Sequence, residues 1–135
     1  MSVTRSALAV LLFAIGLGAH AGTGMAEPSL CERANSAAPG KLQSELAEGE
    51  KLPEVFRDDK YVAFQDKETW AMWTFTLPTH PAHPAVVCRR PVQEGETITL
   101  DMVINCQGET TACNQLDVDF RALNARMAAE MNKKK

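Results

Sequence analysis

The segment THPAHPAVVCRRP, residues 79–91, concentrates side chains that could do chemistry. Two imidazoles separated by two residues can bind a transition metal, a cysteine near a histidine can act as a nucleophile, and neighbouring guanidinium groups can bind an anion. The residues concerned are His80, His83, Cys88, Arg89 and Arg90. Which chemistry is open to the protein depends on the elements that carry the segment and on the oxidation state of the cysteine.

The beginning of the chain has the layout of a secretory signal peptide. Arg5 precedes the uncharged apolar run SALAVLLFAIGLG, and a small-residue cleavage site follows at Ala19-His20-Ala21. The run is shorter than the roughly 20 apolar residues that cross a bilayer. The sequence therefore predicts a cleaved signal peptide over residues 1–21, a periplasmic or secreted location, and no stable membrane insertion after cleavage.

The composition is typical of one small domain with a modest core. The chain has 135 residues and a formal net charge of −3 at pH 7. Because nucleic-acid affinity rests largely on neutralising phosphates, this mild acidity argues against nucleic acid as a partner. Three lysines close the chain, and they predict a solvated basic tail over residues 132–135.

All four cysteines lie after the predicted signal peptide, at Cys31, Cys88, Cys106 and Cys113. An even number of cysteines in a small exported domain is typical of two disulfides, and four cysteines allow three connectivities. A disulfide-bonded Cys88 has no thiolate, so this interpretation removes the nucleophile hypothesis.

The hydrophobic pattern predicts an α+β domain over residues 60–131, preceded by an N-terminal arm, residues 22–59, with short helical pieces. Runs rich in aromatic and β-branched residues alternate with polar turns, which predicts two successive hairpins and an antiparallel sheet of about four strands. The predicted strands cover residues 60–65, 69–77, 85–92 and 97–106. From Cys113 to Met131 apolar residues recur every three or four positions, which indicates one amphipathic helix packed on the sheet.

The pairing of the last two strands bears on the disulfides. A register that places Cys88 opposite Met102 gathers the apolar residues of both strands on one core face. It leaves Cys88 about 13 Å from Cys106, whereas a disulfide needs Cα atoms within about 7 Å. Of the two remaining connectivities, we prefer Cys31–Cys88 with Cys106–Cys113 over Cys31–Cys106 with Cys88–Cys113. The reason is that CQGETTAC is a short connection whose ends can meet.

The sequence does not show a metal, anion-binding or catalytic site among the charged and imidazole side chains. His80 and His83 lie in a proline-rich loop without a visible third ligand, so transition-metal binding at these two residues is the alternative hypothesis, and no cofactor is predicted. Arg89 and Arg90 point to opposite faces of a strand, which predicts one arginine at a sheet edge and the other on a solvated face. No pair of carboxylates can be shown to converge, so no enzymatic activity is predicted.

The strand TWAMWTFTL, residues 69–77, carries large apolar side chains on both faces. Trp73 and Phe75 point one way, and Trp70 and Met72 point the other. Either the N-terminal arm covers the second face, or Trp70 and Met72 belong to an exposed patch that binds a partner or a second copy of the chain. The sequence favours a small exported, non-enzymatic domain that binds another cell-envelope protein, as an inhibitor, immunity protein or accessory protein would.

Overall fold

The computed structural model describes residues 29–133 of the chain. The predicted signal peptide, residues 1–21, and the last two lysines of the predicted tail lie outside the described residues. Within the described range no helix is both long enough and apolar enough to cross a bilayer.

Five strands form one antiparallel sheet in which spatial neighbours follow the order of the chain. The strands are β1 (Glu54–Arg57), β2 (Tyr61–Gln65), β3 (Met72–Thr76), β4 (Ala85–Glu94) and β5 (Thr97–Cys106). A long C-terminal helix packs on one face of this sheet. The predicted α+β architecture is confirmed, with five strands in place of about four.

The additional strand, β1, lies in the segment that was predicted to be part of the arm. All four of its residues are exposed, and it forms an edge of the sheet. Its apolar members, Val55 and Phe56, are about half exposed. A short edge strand with no buried face has no alternation that a sequence pattern could reveal.

A helical arm, residues 30–49, covers one face of the sheet. It consists of a 3₁₀ turn (Leu30–Asn35), helix α1 (Pro39–Ser44) and a π-helical turn (Glu45–Gly49). Leu42 and Leu46, whose spacing predicted a helix, are buried in one cluster with Trp73 and Phe75. The second helix, α2 (Thr110–Lys133), lies on the opposite face. The fold therefore has three layers, with the sheet in the middle.

The predicted register of β4 and β5 is wrong by one residue. Cys88 lies opposite Val103, not opposite Met102. The prediction assumed that these strands bury a single face, whereas residues 85–89 are all buried. A strand covered on both sides carries apolar residues without alternation, so its pattern does not specify a register.

In the observed register, a polar side chain of β5 faces the arm and forms hydrogen bonds with it. Cys88 belongs to the buried cluster beneath the arm, and its neighbour Val87 belongs to the cluster beneath α2. On β5, the side-chain amide of Asn105 donates to the backbone carbonyls of Ala34 and Ala37, at 3.0 and 3.2 Å. This polar side chain therefore finds its partners on the arm face of the sheet.

The last turn of α2 closes part of the outer edge of β5. The side chain of Asn132 accepts a hydrogen bond from the Ile98 amide at 2.9 Å and donates one to the Ile98 carbonyl at 3.0 Å. Unpaired backbone groups on an edge strand invite pairing with another chain, and here those of Ile98 are occupied. Helix α2 thus extends into the segment predicted to be a basic tail, residues 132–135.

Candidate functional site: a groove between the sheet and helix α2

Each disulfide attaches one outer layer to the sheet. Cys31–Cys88 joins the helical arm to β4 with a Cα–Cα distance of 5.3 Å, and Cys106–Cys113 joins β5 to the start of α2 at 5.8 Å. This is the connectivity preferred from the sequence. No cysteine between residues 29 and 133 is free, so Cys88 has no thiolate for nucleophilic chemistry. Two disulfides are consistent with an oxidising, exported environment.

The two histidines lie in the connection between β3 and β4, where each contacts its own neighbours. The amide of Ala82 donates to His80 Nδ1 at 2.9 Å, so the ring proton lies on Nε2 and points at the Tyr61 hydroxyl oxygen, 2.7 Å away. His83 Nδ1 donates to the carbonyl of Thr76 at 2.9 Å. In the described part of the chain, no group of three or more His, Cys, Asp or Glu side chains could hold a metal ion. The metal hypothesis gains no third ligand and stays a prediction.

The stability of the fold should depend on the protonation of His80. Burial lowers the pKa of His80 below its ordinary value, and the Lys60 cation lowers it further. The unfolded chain therefore binds a proton more readily than the folded one. We expect the free energy of unfolding to be unaffected above an unfolded pKa of about 6.5 and to decline as the pH falls below it toward the lower folded pKa. Urea unfolding at pH 7.5 and pH 5.5 measures this change.

The control compares the two histidines. His80→Gln should remove most of this pH dependence, because glutamine does not titrate, whereas His83→Gln leaves the His80 ring in place and should keep most of it. An unchanged pH dependence in His80→Gln would contradict the assignment.

The two arginines of β4 lie on opposite faces, as predicted, but neither environment is the one expected. Arg89 faces α2 and is only 8% exposed, and Arg90 is partly buried on the arm side, opposite Asp101 of β5. Both Nε atoms are buried without a hydrogen-bond partner. The prediction of one edge residue and one solvated residue is wrong, because β4 is an inner strand covered by both outer layers.

A groove of about 430 Å³ runs along the α2 side of the sheet. It exists because the apolar contacts of α2 centre on β4 and β5, while the small side chains of Ala63 and Thr74 leave space over the middle strands. We call it the α2-side groove, lined by Phe56, Ala63, Met72, Arg89, Phe120 and Leu123.

Arg89 is the buried cation of this groove. Its guanidinium carbon lies 5.1 Å from the centre of the Phe120 ring, and Nη1 donates to Asn124 Oδ1 at 3.5 Å and to Met127 Sδ at 3.2 Å. The ion pairs formed among residues 29–133 do not include Arg89. Burial accordingly lowers the pKa of Arg89, with no carboxylate to oppose it.

Acidic groups lie at a different part of the same groove. Asp58 and Asp119 both line it, near the Tyr61 hydroxyl. The Asp58 carboxylate accepts hydrogen bonds from the amides of Lys60 and Tyr61, at 2.8 and 2.7 Å, and these bonds lower the pKa of Asp58. On α2, Asp119 and Arg126 are seven residues apart, or about 10 Å along the helix. The groove is therefore acidic toward Asp119 and cationic toward Arg126 and Arg89.

Trp70 and Met72, which one of the two alternatives placed in a shared exposed patch, occupy different surroundings. Met72 is partly buried and lines the α2-side groove. Trp70 precedes β3, has a positive φ of 62° and is 63% exposed. The patch is thus divided: Met72 belongs to the groove and Trp70 projects from the turn between β2 and β3.

No protein-family model, curated protein or solved structure matches the chain. The site is therefore interpreted from its own geometry. Sequence reasoning missed Phe120 and Met127 as neighbours of Arg89, although their helical spacing already predicted that they face the sheet. It contained no signal for Phe56, which reaches the groove only because β1 pairs with β2.

Proposed function

We propose that the protein is an exported, non-enzymatic binding domain that recognises another protein of the cell envelope through a surface centred on Trp70. The predicted signal peptide and the two disulfides support an extracytoplasmic location. The observation that carries the proposal is the conformation of Trp70, which is largely exposed at a positive φ. The predicted roles of inhibitor, immunity protein or accessory protein all fit such a domain.

Folding does not favour an exposed tryptophan in this conformation, for two reasons. The left-handed region costs a residue with a Cβ roughly 1–2 kcal/mol. The large apolar ring also gains little from folding while it remains in water. Local strain and exposed aromatic side chains are both concentrated at functional surfaces, and tryptophan is enriched among residues that dominate binding energy in protein interfaces. A partner that buries the ring would supply the stabilisation that folding does not, and it would offset the cost of the positive φ.

Trp70→Gly tests this proposal without disturbing the core. Relief of the positive φ offsets the entropy that glycine adds to the unfolded chain, so the free energy of unfolding should stay within about 1 kcal/mol of wild type. Capture from native envelope extract on the immobilised, oxidised protein should then lose the partner that wild type retains. The matched control is Val118→Ala, because Val118 is also an exposed apolar residue, on α2.

Two outcomes would contradict the proposal. The same captured protein on wild type and on Trp70→Gly would remove Trp70 from the binding surface. A concentration-dependent dimer of purified wild type, measured by sedimentation and abolished by Trp70→Gly, would make a second copy of this chain the occupant in place of another protein.

A further inference from the structure

We propose that the α2-side groove binds a small monocarboxylic acid with an apolar body, whose carboxylate pairs with Arg89. This site is separate from the surface proposed for Trp70, which is not among the residues that line the groove. The proposal rests on the guanidinium of Arg89, on the apolar lining, and on the distribution of charge along the groove.

The guanidinium of Arg89 is buried and lacks an anionic partner. The residue is 8% exposed, its Nε has no hydrogen bond, and no ion pair in the described range includes it. Burying an unpaired charge is strongly unfavourable, and natural proteins almost always pair such groups. A ligand carboxylate would supply the missing partner.

One terminal nitrogen of the Arg89 guanidinium has no partner among residues 29–133, and the residue lines the groove. Asn124 and Met127 occupy Nη1, while Nη2 bonds to none of residues 29–133 and is not among the fully buried unpaired atoms. Arg89 lines the groove, and the exposed Arg126 lies at its rim. A carboxylate would therefore bind at Nη2, with Arg126 as a second cation beside it. Such a charge-assisted hydrogen bond is about twice as strong as a neutral one.

The rest of the groove selects an apolar body of limited size. Phe56, Met72, Phe120 and Leu123 provide the apolar lining. A volume of about 430 Å³ lies in the range of small-molecule pockets, which combine an apolar lining with a few polar groups that fix orientation. An aryl or branched alkyl acid meets both conditions.

The charges disfavour multiply charged anions. Asp58 and Asp119 line the groove beyond the apolar part, and their negative potential opposes a dianion such as phosphate. A single carboxylate at Arg89 carries half the charge of a dianion and is repelled less by both. The ligand could be a free acid or the C-terminal carboxylate of a short apolar peptide, because the two present the same chemistry.

The experiment is isothermal titration calorimetry of the oxidised protein with 3-phenylpropionate and with its uncharged amide. We expect the acid to bind wild type and the amide to bind at least about tenfold more weakly, because the amide lacks the charge that pairs with a buried guanidinium. A tripeptide of apolar residues, with a free or an amidated C-terminus, distinguishes a peptide source from a free acid, and inorganic phosphate should give no heat.

Two neighbouring arginines provide matched variants. Arg89→Met should weaken acid binding at least about tenfold, whereas Arg90→Met, on the other face of the same strand, should retain it. Thermal unfolding checks that Arg89→Met is folded, and Arg89→Lys, which keeps the charge without the planar fork, is the second variant. Trp70→Gly should bind the acid as wild type does, which separates this proposal from the one on Trp70. Equal binding of acid and amide, unaltered binding by Arg89→Met, or no binding of any carboxylate would overturn the inference.

Discussion

Replacing Cys31 and Cys88 together by alanine should lower the free energy of unfolding by about 4 kcal/mol, the value that chain entropy gives for a loop of this length. The disulfide has a sequence separation of 57 and crosslinks the first turn of the helical arm to the inner strand β4 of the sheet. Both cysteines are fully buried, within the cluster that also contains Trp73 and Leu42. Without the bond, the first turn of the arm is held to the sheet only by side-chain packing and a few hydrogen bonds.

The second disulfide provides the comparison. Cys106–Cys113 closes a loop with a sequence separation of only 7, so Cys106→Ala/Cys113→Ala should lose about 2.5 kcal/mol. Guanidinium unfolding of the two double variants, followed by circular dichroism, measures both losses. A larger loss for the Cys106–Cys113 pair would show that loop length does not govern the contribution of these disulfides.

Trp73→Ala should cost about 3–5 kcal/mol, the usual range for removing a large aromatic side chain from a core. Trp73 is 2% exposed and lies between the sheet and the helical arm, in one cluster with Phe75, Leu42 and Leu46. Its removal leaves a cavity at the centre of that interface, which the covalently attached arm can only partly fill. Because small domains are stable by only about 5–15 kcal/mol, the variant should be close to unfolding at room temperature.

Trp70→Ala is the control, since the two tryptophans are three residues apart but differ in burial. It should change the free energy of unfolding by less than about 0.5 kcal/mol, as is typical of surface substitutions. Urea unfolding followed by circular dichroism avoids the change in tryptophan fluorescence that either substitution causes. Similar losses for both variants would contradict the placement of Trp73 in the core and Trp70 on the surface.

Local patterns accounted for most of the elements. The spacing of apolar residues from Cys113 to Met131 predicted α2, because a helix that buries one stripe must repeat every three or four residues. Runs rich in aromatic and β-branched residues, separated by polar turns, predicted four of the five strands. The disulfide pairing also agreed with the structure, since CQGETTAC connects a strand to a helix within a few residues. These features depend only on residues that are close together in the chain, so a short stretch of sequence is enough to predict them.

The register between β4 and β5 could not be predicted from local patterns. The apolar residues of β4 are continuous because the arm and α2 cover both of its faces. The rule that one face is apolar therefore selected a register that is wrong by one residue. Asn105, through its hydrogen bonds to Ala34 and Ala37, belongs to a contact that spans about 70 residues of sequence. The residues around Asn105 in the sequence do not indicate a contact with a segment this far away.

The sequence by itself determined the kind of protein this is: a small α+β domain with an even set of cysteines, a predicted signal peptide, and an apolar helix stripe at its end. Only the tertiary structure decided the meaning of THPAHPAVVCRRP. The packing of two layers on β4 buried Arg89 beneath Phe120 and left Arg90 partly buried on the other face. The loop before β4 placed His80 against Tyr61. The physical reason is that burial and charge pairing depend on residues from distant segments, whereas helix and strand patterns depend on neighbours in the chain.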